Sequence, residues 1–457
     1  MRITVFAKNF LRRIGMDKAI AYSSGSRIVQ GVAGVLTVLF VSTFLSGVEQ
    51  GFYFTFGSIL ALQIFFELGL TGIMTQYVAH EASHLTLSVL GRYEGEQRYV
   101  SRLASLVHFC LMWYLVVAIV VFVFLSIIGY VFFNKYGEDG QDVEWRIPWL
   151  LVCIGTAIKL FQSPFNSFLM GIGKVKEMSE VGFYQQLIIP LSTWIGLMAG
   201  LKLYVVGIGY LCSVIVWQLY IQRKGLLRIL TNLWKEHITE RVSYLREIFP
   251  YQWRIALSWI SGYFVFQLFN PVLFATEGAV VAGQMGMTLH ALNAIQSLAF
   301  SWLNTKVPYY SQLIALKEYE TLDTLFNRTL KQMTSICLFL LVSYFVVIWL
   351  LNISQFKVGG SILADRFLGY GPTILMMIPV YLQQYINSWA TYLRCHKKEP
   401  FLVNSVCSGL TSLLCIFVFG HLFGLYGVTF SYFAIAVAFF PWGYWIYKTK
   451  KAEWHRA

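Results

Sequence analysis

Apolar runs of membrane-spanning length recur along the whole chain. The clearest cover residues 28–46, 105–133, 178–200, 333–351 and 401–420. A helix needs about 20 mainly apolar residues to cross the hydrocarbon core of a bilayer. Because lipid offers no partner for backbone N–H and C=O groups, runs of this length must be helical. The sequence therefore predicts an all-α polytopic membrane protein.

Charged residues are sparse and cluster between the apolar runs. Only 12% of the residues are charged, about half the fraction found in soluble domains. About twelve transmembrane helices account for this pattern. The predicted spans are residues 24–46, 53–79, 103–133, 147–172, 178–200, 203–222, 252–275, 278–303, 332–352, 366–393, 401–421 and 424–447.

Lys and Arg residues lie almost entirely on one side of the predicted membrane. Of the 35 such residues, the opposite side holds only Lys135, Arg146, Lys202, Lys357 and Arg366, and Lys159 lies inside a span. Loops rich in Lys and Arg face the cytoplasm. We therefore expect a multi-pass protein with both termini in the cytoplasm. The net charge of +13 then reflects topology and not nucleic-acid binding.

The stretch 223–249 differs from the spans around it. Its apolar residues lie near helical spacing with charges between them, which predicts an amphipathic helix at the cytoplasmic surface. It separates six predicted spans from six. The predicted domains are therefore an N-terminal six-helix lobe at 1–222, an amphipathic linker helix at 223–249 and a C-terminal six-helix lobe at 250–457.

The two predicted lobes carry a similar opening pattern. Arg27 begins the first and Arg254 the second, and Glu49 and Glu277 follow them by 22 and 23 residues. Two halves that each start in the cytoplasm and hold six spans form a parallel repeat. Two such bundles, pseudo-symmetric about a central cavity, are typical of transporters.

Enzyme chemistry has little support in the residues. None of the seven cysteines has CxxC spacing, so neither a metal site nor a disulfide framework is predicted. The outer loops are short, and no paired carboxylates, nucleophile elbow or nucleotide loop is found. We expect no covalent catalysis and no cofactor.

The segment 45–70, LSGVEQGFYFTFGSILALQIFFELGL, resembles the first hairpin of the polysaccharide flippases, of the O-antigen type. These belong to the multidrug/oligosaccharidyl-lipid/polysaccharide exporter superfamily. The proline that often stands in this turn is replaced by Gly47-Val48, and Arg27 matches the basic residue near the start of the first helix. The residues that carry the resemblance are Leu45, Ser46, Glu49, Gly51 and Phe52.

The resemblance implies a flippase of the bacterial inner membrane. It would move an undecaprenyl-diphosphate-linked oligosaccharide from the cytoplasmic to the outer leaflet, for surface polysaccharide export, by alternating access between two lobes. Membrane lipids and a polysaccharide polymerase are candidate partners. Three other classes remain open: a cation-coupled drug exporter of the same superfamily, an integral-membrane polysaccharide polymerase or ligase, and a membrane scaffold without transport.

Charged residues within or near the spans are the first site candidates, because a charge at mid-span is costly. Glu67 and Lys159 either pair with each other or face the cavity, where Lys159 would bind a substrate anion and Glu67 a coupling ion. Arg27 and Arg254 either anchor their helices by snorkelling or converge on the diphosphate, which guanidinium groups bind well.

Neutral polar residues complete the predicted site. His290 lies in the eighth span, Asn270 precedes a proline in the seventh, and Gln383 and Asn387 lie in the tenth. Amide groups of this kind suit sugar hydroxyls, although hydrogen bonds between helices explain them equally well. Pro164, Pro271 and Pro379 are predicted to kink their spans.

Overall fold

The computed structural model describes residues 18–88, 91–137, 142–358, 361–396 and 398–456. The first half contains α1 (Lys18–Phe44), α2 (Gly47–Leu60), α3 (Ile64–Glu67), α4 (Leu70–Ala82), α5 (Gln97–Tyr136), α6 (Arg146–Gly171), α7 (Val175–Met198), α8 (Tyr204–Arg223) and α9 (Leu226–Lys235). The second half contains α10 (Phe249–Phe266), α11 (Phe269–Glu277), α12 (Ala279–Asn304), α13 (Val307–Ala315), α14 (Tyr319–Ser354), α15 (Tyr370–Arg394) and α16 (Leu402–Arg456).

Two short hairpins are the strands of the described chain. β1 (Leu85–Leu87) pairs antiparallel with β2 (Tyr93–Gly95), and β3 (Lys357–Val358) pairs antiparallel with β4 (Ser361–Ile362). Both hairpins connect long helices. The all-α polytopic fold class predicted from the sequence is confirmed.

Two predicted spans are broken helices. The second runs from α2 through a 3-10 turn and α3 to α4, and it bends where Leu68 and Gly69 adopt left-handed backbone angles. The seventh breaks between α10 and α11, just before Asn270-Pro271. Proline disfavours helical geometry in the residue before it and removes a backbone donor, so the break falls where the sequence predicts. By contrast, α6 and α15 continue through Pro164 and Pro379.

The eleventh and twelfth predicted spans meet at a turn inside α16. Gly424 there has φ 54° and ψ −132°, which is not helical. A side chain at this position would be strained, and its Cβ would lie 1.5 Å from Oε1 of Glu277. Glycine therefore allows the chain to reverse beside the end of α11.

Five helices in the described chain are each long and apolar enough to cross a membrane alone: α5, α6, α8, α14 and α16. The bent α2–α4 segment makes a sixth. Other predicted spans, such as α12 and α15, carry more polar side chains and so have lower hydropathy. Several of these polar side chains, such as Thr288 and Gln384, are buried within the protein.

Each lobe is built from its own helices, and the two lobes meet along α12. In the first lobe α1 packs on α7, and α6 packs on α8; in the second, α10 and α15 pack on α16. Between lobes, α12 packs against both α1 and α2. Small residues permit this approach, because a Cβ at Gly31 would lie 2.5 Å from Leu298 and one at Gly286 would lie 2.3 Å from Phe54.

The connection between the halves is bound to the first lobe. Helix α9 buries Leu226, Ile229, Leu230 and Leu233, but it ends at Lys235, earlier than the predicted 223–249 helix. The next residues bond to α5 instead, since the N–H groups of Thr239 and Glu240 donate to Ser101 Oγ at 2.7 and 2.8 Å. A π-helical turn, Tyr244–Ile248, then leads into α10. The predicted domain boundaries remain a prediction.

A charged cluster fixes this connection further. Arg102 of α5 donates to Glu81 of α4 at 3.0 Å and to Glu247 of the π-helical turn at 2.7 Å. The Tyr77 hydroxyl also donates to the backbone carbonyl of Glu247. Glu81 is only 2% exposed, so Arg102 supplies the charge that a buried carboxylate requires.

Candidate substrate site

Lys159 lies halfway along α6 and is partly buried. Its Nζ is 5.0 Å from the centre of the Tyr210 ring, which belongs to α8. Gly155, one turn earlier, lets α8 approach, because a Cβ there would lie 2.7 Å from Tyr210 Cβ. A cation over an aromatic face gains about 0.5–2 kcal/mol, more when water is excluded. The ring therefore compensates part of the cost of a mid-span ammonium.

Glu67 is the last residue of α3, at the break in the second span. Thr71 Oγ1 donates to its Oε1 at 2.9 Å, and the Ser163 hydroxyl of α6 also hydrogen-bonds it. The left-handed residues that follow interrupt the helix beside this carboxylate. A partly buried carboxylate with hydroxyl partners at a helix break is suited to binding a proton or a small cation.

Glu67 and Lys159 do not pair with each other. Within the described residues, no salt bridge of 4.0 Å or less joins them. The two charges nevertheless lie at adjacent turns of α6, because Glu67 contacts Ser163 and Ser163 follows Lys159 by four residues. The alternative in which Glu67 and Lys159 form an ion pair is therefore excluded in the described structure, and each of the two side chains has neutral partners.

His290 and Asn270 lie where the lobes touch. Asn270 Nδ2 donates to Ser58 Oγ of α2 at 3.2 Å, and Asn270 is 5% exposed. The His290 ring lies 5.8 Å from the Phe54 ring, and its buried Nε2 has no hydrogen-bond partner in the described chain. A Cβ at Gly34 of α1 would lie 3.7 Å from that nitrogen. Both predicted residues therefore face the other lobe.

Gln383 and Asn387 line a cavity of about 200 Å³ inside the second lobe. Gln383 Nε2 donates to Asn387 Oδ1 at 3.0 Å, which orients the pair along α15. Helix α10 contributes Ser261, and α16 contributes several hydroxyls and one amide. The described residues around this cavity carry no charge. Its chemistry suits a neutral ligand rich in hydroxyl groups.

The contribution of α16 to this cavity was not predicted from the sequence. Asn404, Ser408 and Ser412 line it from successive turns of one helix face. Asn404 Nδ2 and Ser412 Oγ are buried and have no hydrogen-bond partner in the described chain. Their spacing of four residues within an apolar run is the signal that could have identified them.

The lobes are closed together at the predicted outer end. Gln50 Nε2 of α2 donates to the carbonyl of Gly283 at 2.8 Å and to that of Arg366 at 3.0 Å. A Cβ at Gly51 would lie 1.9 Å from the Ala279 carbonyl oxygen, so α2 and α12 touch through backbone. Interfaces of small residues are common between membrane helices. A path through this end requires the two helices to separate.

Two predicted site residues, Arg27 and Arg254, cannot be placed relative to the cavity. Arg27 lies in α1 and Arg254 in α10, but their side chains are outside what the structure describes. In the described chain, no three His, Cys, Asp or Glu side chains are grouped as metal ligands would be.

The described helices form two lobes that meet at a closely packed contact, with polar side chains buried within and between them. The solved structures that share the fold are transporters of the MOP superfamily, that is, the multidrug/oligosaccharidyl-lipid/polysaccharide exporters. The structural part of the resemblance found in the sequence is therefore confirmed, and these relatives are not enzymes.

Three matches cover nearly the whole chain. An inward-facing multidrug resistance MATE family transporter of the MOP superfamily has 13% identity and a TM-score of 0.67 over 95% of this chain and 96% of that one. The lipid II flippase MurJ, in an inward closed conformation, has 13% identity and a TM-score of 0.56 over 93% and 87%. A MOP superfamily transporter from Pyrococcus furiosus, described as having a binding pocket of reverse polarity, has 14% identity and a TM-score of 0.52 over 94% and 96%.

Comparisons based on sequence give no match. No model of a protein family matches the chain, and a search of curated proteins found no match. At these identities, the structural likeness establishes the fold and leaves the substrate open.

Proposed function

We propose that this protein is a flippase for a lipid-diphosphate-linked oligosaccharide. The observation that carries the proposal is the uncharged cavity of the second lobe, where Gln383 and Asn387 present amide groups beside the hydroxyls of α16. Neutral donors and acceptors of this kind match the hydroxyls of a sugar. A cavity built for organic cations would instead be expected to carry carboxylates.

The proposal gives the diphosphate a separate set of partners. Lys159 supplies a mid-span cation that no carboxylate neutralises within the described chain. Arg27 and Arg254 are proposed to add guanidinium groups near the cytoplasmic entrance. A diphosphate entering a low-dielectric cavity needs such compensation, while the lipid tail can stay in the bilayer.

In the proposed cycle, the headgroup enters between the lobes from the cytoplasmic side. The contact of Gln50 with Gly283 then breaks, and the outer side opens. Asn270 and His290 lie on the moving boundary between lobes, and sugar contact by them depends on that movement. Glu67 is proposed to couple the cycle to a proton or sodium ion, because its carboxylate lies at a helix break beside hydroxyl partners.

The proposed location is the bacterial inner membrane, with both termini in the cytoplasm and a polysaccharide polymerase acting on the product. The strong bias of Lys and Arg residues supports this orientation. The likeness to a lipid II flippase supports a lipid-linked substrate, although that name describes the relative alone.

Drug export is the second candidate function, and the higher TM-score to a MATE multidrug transporter favours it. The charges argue against it, because Glu67 is the one clear mid-span carboxylate of the sequence. An integral-membrane polymerase or ligase has less support, since the fold is that of transporters.

Deletion of the gene in its own host separates these functions. A flippase deletion abolishes surface polysaccharide and traps lipid-linked repeat units in the cytoplasmic leaflet, and reintroduction of the wild type clears them. Loss of a polymerase instead leaves single repeat units in the outer leaflet. Loss of a drug exporter leaves the polysaccharide intact and raises drug sensitivity. Either of these last two results would reject the proposal.

A further inference from the structure

A second, apolar recess lies on the outside of the first lobe. It has a volume of about 620 Å³ and lies between α5, α6, α8 and α9. We call it the α9 groove. Ile158, Ile215 and Leu219 line it and are 37–55% exposed, so it opens outward and not toward the second lobe. The contact between lobes uses α1, α2 and α12 instead, so the groove is separate from the proposed substrate path.

Helix α9 forms the floor of the groove and has three distinct faces. One face buries Ile229 and Leu233 against the lobe. The next presents Leu227, Thr231 and Trp234 to the groove. At 100° per residue, Arg228 and Lys235 share a third stripe that flanks the groove-lining face. Apolar contact on one stripe and positive charge on the next is the pattern of a helix at a lipid–water boundary.

The two cations are available to a ligand. Arg228 and Lys235 are exposed, and neither makes an ion pair within the described chain. Arg223 and Lys224, just before α9, are exposed as well. The described residues that line the groove carry no charge. An occupant must therefore combine a long apolar chain with a negative group at the level of α9.

We propose that the α9 groove binds an anionic phospholipid, with one acyl chain in the groove and its phosphate held by Arg228 and Lys235. Basic groups beside transmembrane helices recognise anionic lipid headgroups, at about 1 kcal/mol for each Lys or Arg. That energy corresponds to about fivefold in affinity for each cation. Two cations then give a preference of roughly 25-fold over a zwitterionic lipid.

Native mass spectrometry of the full chain tests this site. The purified protein is equilibrated with equal amounts of dioleoyl phosphatidylglycerol and dioleoyl phosphatidylcholine, and the lipid that remains bound is counted. We expect wild type to retain phosphatidylglycerol selectively. The double variant Arg228→Gln/Lys235→Gln should lose most of that roughly 25-fold preference. Ile215→Trp, which fills the groove from an exposed position, should lower retention of both lipids.

The matched control is Arg328→Gln/Lys331→Gln. It removes the same charge from exposed positions on α14, in the other lobe, and should retain the wild-type preference. Equal retention of both lipids by wild type would overturn the proposal, as would equal losses in the two double variants. Retention is measured without transport, so its outcome is independent of the flippase proposal.

Discussion

The ammonium nitrogen of Lys159 lies 5.0 Å from the centre of the Tyr210 ring, and no carboxylate pairs with it in the described chain. An unpaired cation at mid-span costs about 2.5–3.5 kcal/mol on insertion scales. The Tyr210 ring offsets only part of that cost. The anion of the proposed substrate would supply the counter-charge that the described chain does not provide.

The first prediction follows from this balance. Lys159→Met should lower translocation of the lipid-linked substrate at least about tenfold, because the anion loses a buried partner worth more than about 1.4 kcal/mol. The midpoint of thermal unfolding should stay the same or rise, since a mid-span charge has been removed. Translocation in reconstituted vesicles and the unfolding of purified protein measure the two effects.

Lys357→Met is the control, because it removes an exposed lysine outside the helices. It should leave both quantities unchanged. Normal translocation by Lys159→Met would show that this lysine has no role in binding the anion.

The second prediction concerns the closed contact at the predicted outer end. In Gly51→Ala, the new Cβ would lie 1.9 Å from a backbone oxygen of α12, which cannot rotate away as a side chain could. The lobes should therefore rest further apart on that side, and translocation should fall. Labelling of a cysteine introduced at His290 by a membrane-impermeant maleimide added from outside should become faster.

Gly57→Ala is the matched control on the same helix, because a Cβ there meets nothing within 4 Å. It should leave translocation unchanged and labelling as slow as in wild type. It should also raise stability by up to about 1 kcal/mol, because alanine reduces the conformational entropy of the unfolded chain. If the introduced cysteine is labelled at the same rate in the two variants, the contact between α2 and α12 does not close the outer end.

The sequence predicted the helices better than it predicted their contacts. Hydropathy and proline placement located α16's reversal near Gly424 and the break before Pro271, because both depend on local backbone chemistry. The pairing of Glu67 with Lys159 was left open, because similar depth does not determine which way each side chain turns on its helix. Tyr210 became the partner of Lys159 through the close approach of α8, which single-sequence patterns do not encode.

The cavity of the second lobe shows the same division. Gln383 and Asn387 stood out as polar residues in an apolar span. Asn404 lies within a clear span, but the sequence does not single it out, since one amide or hydroxyl in a membrane helix is unremarkable by composition. Only the assembled lobe shows that α10, α15 and α16 bring these groups to one cavity.

The third prediction tests whether this cavity binds substrate. Asn404→Leu removes a buried amide nitrogen that has no partner in the described chain. Removing such a group should leave stability unchanged or raise it by about 1 kcal/mol. Translocation should nevertheless fall, because a sugar hydroxyl loses its donor. Unfolding and translocation are measured on the same preparation.

Thr329→Val serves as the comparison, since this buried hydroxyl on α14 donates to the Leu325 carbonyl of its own helix and does not line the cavity. It should leave translocation at the wild-type rate. Undiminished translocation by Asn404→Leu would indicate that the cavity holds water alone.

The fourth prediction concerns pH and the connection between the lobes. Burial raises the pKa of Glu247, but the Ser243 N–H and the Arg102 guanidinium outweigh it and hold the pKa below the ordinary value. A lowered pKa contributes stability above the unfolded value, near 4.5, and this contribution is lost as the pH falls through the folded value. Thermal stability should therefore decrease on acidification below about pH 4.5.

Arg102→Gln should flatten this acid dependence and lower stability at neutral pH by about 1–3 kcal/mol, because Glu81 is left buried without its cation. Arg98→Gln is the control, since Arg98 pairs with Glu240 at an exposed position. An Arg102→Gln variant with the wild-type acid profile would exclude Glu247 as the source of the effect.

The fifth prediction separates ion coupling from simple anion transport. Glu67→Gln keeps an oxygen that can accept from Thr71 and Ser163 but cannot take up a proton or balance a cation, so the fold should persist. If Glu67 couples the cycle, translocation by this variant should no longer respond to an imposed proton or sodium gradient. Glu277→Gln removes an exposed carboxylate and should respond as wild type does. If Glu67→Gln still responds to the gradient, coupling takes place at another residue. If the wild type responds only to membrane potential, the charge of the substrate itself drives the movement.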